Sequence, residues 1–125
     1  MYVPDTNWHL VSSPLVDVAY NDTWVTDNDI ATGSIFSSNR GISTYDNSSL
    51  TSPDEAGASN HWRYTQGMAT GTFGTGVGYA LIKDANPGVS SGNFTFTGTM
   101  PTAVNPTITQ GANNWNLIGN SYPSY

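Results

Sequence analysis

Short apolar runs recur along this chain, each broken after a few residues by Gly, Asn, Asp, Ser or Pro. No window carries apolar residues at three-and-four spacing over three turns. That pattern predicts strands. Candidates are residues 8–11, 23–26, 33–36, 41–45, 61–66, 78–83, 93–98, 106–109 and 115–119, all rich in aromatic and β-branched residues. "NFTFTGTM" is the cleanest case, with Phe94 and Phe96 on one face and Thr95 and Thr97 on the other. "GYALIK" alternates in the same way, Tyr79, Leu81 and Lys83 against Ala80 and Ile82. The Ala/Glu-containing stretch 52–59 is short and broken by Gly57, and it reads as a loop with at most one helical turn after Ser52. The expected fold is all-β: a single domain over residues 1–125, an antiparallel sandwich or jelly roll of about eight or nine short strands, with little or no helix.

Composition narrows the setting. The chain has 125 residues, enough for one domain with a modest core. Charged residues make up 10% and aromatics 12%, so the surface is largely neutral and polar while the aromatics supply a core. The net charge is −6, and the only cations are Arg40, Arg63 and Lys83. Nucleic acid and anionic membrane surfaces are poor partners for such a chain. No apolar run approaches the ~18 residues of a membrane span, so membrane insertion is not expected. There is no cysteine, which excludes disulfides, thiolate zinc sites and cysteine nucleophiles. The opening "MYVPDTN" has neither a basic start nor an apolar stretch and is not read as a secretion signal.

The two ends of the chain carry nearly the same phrase, "WHLVSSPL" from Trp8 and "WNLIGNSYPSY" from Trp115. In each, Trp and Leu stand two apart and share a face. Small residues follow, and Pro14 or Pro123 then ends the run. The matched pattern predicts two strands that are neighbours in one sheet, with Trp8 and Trp115 in the core.

These phrases, with Gly76-Val77-Gly78-Tyr79 and Phe96-Thr97-Gly98 between them, resemble a recurring module of Bacteroidetes cell-surface and secreted proteins exported by the type IX secretion system. Ser121 stands where that module usually has Pro. The resemblance implies an extracellular or cell-surface β-sandwich, cut from a longer multidomain chain, with neighbouring domains of the same polypeptide as its first partners. It implies no catalytic residues.

The glycine-rich "GTFGTGVGY" lacks the Lys-Ser/Thr ending of a phosphate loop and precedes a strand, so it reads as a turn. Asp54 and Glu55 are adjacent in a polar loop, His9 and His61 sit in strands, and no G-x-S-x-G elbow exists. The expectation is that the chain is not an enzyme. Asp22, Asp27 and Asp29 cluster in "NDTWVTDNDI", and such oxygen ligands suit calcium, although Asp and Asn are also ordinary turn formers. Sugar binding needs aromatic rings beside hydrogen-bonding groups. "NHWRYTQ" offers Trp62, Arg63 and Tyr64, with the two rings on one face as either core or binding surface. Trp24 and Tyr20 flank the acidic loop and are the candidate exposed pair. The sequons at Asn21, Asn47 and Asn93 carry little weight in an Asn- and Thr-rich chain. The expected function is a non-catalytic adhesive or structural module. The alternative is a carbohydrate-binding module of a polysaccharide-degrading enzyme, and a small hydrolase is a third reading.

Overall fold

A computed structural model describes residues 1–3, 5–33, 39–47, 61–66, 70–84, 92–111 and 114–121. Its elements run β1 (Tyr2–Val3), β2 (His9–Val11), α1 (Asp22–Asp27), β3 (Ile42–Tyr45), β4 (Trp62–Tyr64), β5 (Tyr79–Leu81) and β6 (Gly92–Asn93). Strands dominate, and among the described residues every strand pairing is antiparallel. β2, β5, β3 and β4 form one sheet in that order, and β1 pairs with β6. The helix candidate at residues 52–59 and most of the strand candidate at 33–36 lie outside the described residues.

Residues 23–26, expected as a strand, form the middle of α1 instead. Thr, Trp and Val favour strands locally, but Asn21 caps the helix: its side chain accepts a hydrogen bond from the Trp24 backbone N–H at 2.9 Å. Asp22 sits in the first turn, where the helix dipole favours a carboxylate. Six residues are too few to hold a helix alone, so packing of Trp24 and Val25 into the core holds this one. Asp29, at φ 51°, ends it.

The register divides the four-stranded sheet into two faces. His9, Leu81 and Ile42 are aligned, as are Val11 and Tyr79, and this face meets the core. Phe73 is the hub, with the rings of Trp24 and Tyr79 both at 4.9 Å, Tyr20 at 5.1 Å and Phe96 at 5.5 Å. The opposite face carries Leu10, Ala80, Ser43 and Tyr64 in one row and Tyr45 beside Trp62 in the next.

The predicted alternation in residues 93–98 is observed, since Phe94 is buried, Phe96 half-buried, and Thr95 and Thr97 exposed. Beyond Asn93 this stretch joins no named strand. Both backbone polar groups of Thr95 are instead taken by side chains: its N–H donates to Asn28 Oδ1 at 2.6 Å, and its carbonyl accepts from Trp24 Nε1 at 2.9 Å. Residues 106–109 form no strand, and 115–119 make a single bridge, Ile118 to Val77.

Lys83 lies buried in the core. Its ammonium donates to the Asn28 carbonyl at 2.8 Å, stands 3.8 Å from the Asp29 carboxylate and lies 5.2 Å from the centre of the Phe94 ring. A buried cation is tolerable only with such partners.

Candidate functional site

The twin end phrases do become neighbours, through a shared partner. β2 pairs with residues 79–81, and the C-terminal phrase pairs with the residues just before them. Gly78 N–H donates to the Leu117 carbonyl at 3.2 Å, and Gly119 N–H donates to the Gly76 carbonyl at 2.9 Å. The Ser12 hydroxyl donates to the Asn120 carbonyl at 2.6 Å, joining the two phrases directly. Glycine is required at 78 and 119 by close approach: a Cβ on Gly78 would meet Leu117 Cγ at 2.5 Å, and one on Gly119 would collide with Ser12. Ser13 bends the first phrase out of β2, its hydroxyl donating to the Leu15 carbonyl at 2.7 Å.

The expectation that Trp8 and Trp115 are core is overturned. Trp115 is 76% exposed, Leu10 66% and Trp8 44%. The shared face of each phrase is the outer face of the sheet. Period two identifies residues that lie together; it does not say which side is covered.

On that face Leu10, Tyr45, Trp62, Trp115, Asn116 and Leu117 line an open groove of about 350 Å³. The Tyr45 and Trp62 rings meet edge-on at 5.5 Å, and Trp8 meets Tyr64 at 5.7 Å. The Trp115 wall is fixed by its backbone. Asn47 Nδ2 donates to the carbonyls of Trp115 and Thr109, both at 2.9 Å, and Asn116 holds Thr109 through its N–H and carbonyl, each at 3.0 Å. Asn47 is buried and its amide is occupied by these bonds, which removes it as an exposed glycosylation acceptor.

Among the described residues no formally charged side chain lines the groove. The chain's three cationic side chains are paired elsewhere: Arg40 with Asp22, Arg63 with Asp46 at 3.3 Å, and Lys83 with Asp29. His9 lies 3.0 Å from Asp5, whose carboxyl is held below its usual range by the Asn7 backbone N–H first, and then by the Asn7 and His9 side chains. The groove is therefore suited to holding an uncharged surface by ring and aliphatic contact.

The remaining candidates separate. Trp24 is not an exposed stacking ring: it is 8% exposed, packed on Phe73, with its indole N–H bonded to Thr95. Tyr20 is half-buried against the same Phe73. Trp62 and Tyr64 share the outer face, as period two predicted, with Trp62 in the groove and Tyr64 beside it. Arg63 turns to Asp46 and does not line the groove. The three aspartates of the calcium candidate are not brought together. Asp22 and Asp27 are five residues apart on a helix and so face different sides. Asp22 bonds Arg40, Asp29 lies near Lys83, and among the described residues no group of three or more acidic or histidine side chains is placed to hold a metal. Tyr45, Leu10, Trp115 and Leu117 were not nominated as binding residues, yet the repeated Trp-x-Leu phrase already placed three of these four together.

Among the described residues no helix is long and apolar enough to cross a membrane. No family model, no curated protein and no solved structure matches the chain.

Proposed function

We propose that this chain is a non-catalytic adhesive module of a secreted or surface-anchored bacterial protein, and that it makes its contact through the groove on the outer sheet face. One observation carries the reading. A Trp that is 76% exposed and a Leu that is 66% exposed stand beside Tyr45 and Trp62 on a groove with no charged lining among the described residues. Contiguous exposed apolar surface of this kind marks interaction sites. The end phrases, which resemble those of type IX secretion cargo, support an extracellular setting and neighbouring domains in the same polypeptide. A two-layer sandwich or jelly roll is the architecture we assign to it.

A second reading, a carbohydrate-binding module, is favoured by the aromatic content of the groove. Rings such as Trp62, Tyr45 and Trp115 can stack on the apolar face of a pyranose. The test applies wild type, Trp62→Ala and Trp115→Ala to a glycan array and to neighbouring domains from the full-length polypeptide. Retention on either that both variants abolish, with the melting temperature unchanged, supports the groove as the contact. Retention unaffected by both variants contradicts it.

A further inference from the structure

A second concavity lies away from the groove residues. The segment 17–19, helix α1 and the extended stretch 94–97 enclose a cleft of about 350 Å³. Its lining includes Asp17, Asp27, Thr23, Thr95 and Thr97, together with Trp24. The helix end is tied to the 95–97 side. Asn28, 1% exposed, accepts from the Thr95 N–H and donates to the Trp24 carbonyl at 2.9 Å, while Trp24 Nε1 bonds the Thr95 carbonyl. That bracing between the helix end and Thr95 preorganises this side of the cleft, which lowers the cost of binding.

Its chemistry is one-sided. Asp5, Asp22, Asp29 and Asp46 each have a basic partner, whereas Asp17 and Asp27 form no ion pair among the described residues. Both are exposed, and no cationic side chain lines the cleft. An anion would be repelled. Two carboxylates accept hydrogen bonds, and three threonine hydroxyls both donate and accept. The space is far larger than a bare ion needs and lies within the range of small-molecule sites.

We propose that this cleft binds a neutral sugar residue, its hydroxyls donating to Asp17 and Asp27 and exchanging hydrogen bonds with Thr95 and Thr97. The site is independent of the groove. The test is an amide and indole N–H NMR titration of the chain with glucose, galactose and mannose, each in chelator-treated buffer, and separately with calcium chloride. At least one sugar is expected to give saturable shifts at Thr95, Thr97 and the Trp24 indole. Asp17→Asn and Asp27→Asn are each expected to weaken it about tenfold, as for loss of a charge-assisted hydrogen bond, and Trp115→Ala to leave it unchanged. The proposal is overturned if none of the three sugars shifts these signals up to high millimolar concentration. It is equally overturned if the Asn variants bind as wild type does, or if calcium alone reproduces the shifts and sugar adds nothing.

Discussion

Two aromatic clusters lie on opposite faces of the same sheet. Around Phe73 the rings of Tyr20, Trp24, Tyr79 and Phe96 meet at steep or tilted angles, and Val11, Val18 and Ile42 complete the enclosure. Around the groove, Tyr45 meets Trp62 and Trp8 meets Tyr64 with similar spacing and edge-on geometry, but Leu10 and Trp115 stand open. Ring pairing of this kind contributes about 0.5–1.5 kcal/mol wherever it occurs. The difference between the clusters is therefore closure. Rings removed from water stabilise the fold, and rings left in water present surface that a partner can cover. Mutations should divide the two clusters accordingly.

The largest effect belongs to the closed cluster. Phe73→Ala removes the hub and leaves a cavity, and it is expected to cost about 3–5 kcal/mol in urea unfolding. A cost near that of a surface substitution would break the comparison. Next is the seam between the end phrases. Gly78→Ala drives a methyl against Leu117 and is expected to cost about 1–3 kcal/mol by the same measurement, with any groove-dependent retention weakened alongside. In the open cluster, Trp115→Ala is expected to change stability by less than about 0.5 kcal/mol while abolishing retention on whatever the groove holds. The smallest effect is a pH dependence. Burial pushes the Tyr79 phenol above its ordinary value of 10.0. The folded state thus holds that proton more tightly than the unfolded state. The stability it contributes is intact below pH 10 and declines as the pH rises through the raised value. Thermal melts from neutral to strongly alkaline pH should show this decline, and Tyr79→Phe should remove that part of it.

Much of this contrast was out of reach of a one-dimensional pattern. Alternation correctly placed Phe94 and Phe96 apart from Thr95 and Thr97, because a half-buried extended stretch writes its two environments into alternate residues. It also correctly grouped Trp8 with Leu10 and Trp62 with Tyr64, but which face is covered depends on elements distant in sequence. Helix α1 is the clearest example. Strand-forming Thr23, Trp24 and Val25 become helical through the Asn21 cap and core packing, and the same turn carries Trp24 inward and separates Asp22 from Asp27. A calcium cluster and an exposed Trp24 both presupposed an extended loop there. The groove was legible only as a coincidence of phrasing at the two chain ends. Its assembly needed the 76–81 stretch to pair with both phrases, and glycines at 78 and 119 to let them approach.

The central claim is that one aromatic cluster is closed and the other open. Hydroxyl-radical footprinting of the native chain, read peptide by peptide by mass spectrometry, tests it directly, because the four tryptophans fall in separate sequence contexts. The account predicts rapid oxidation of Trp115, slower oxidation of Trp8, and protection of Trp24 until the chain unfolds. Protection of Trp115 equal to that of Trp24, or rapid oxidation of Trp24 in the folded chain, would contradict it.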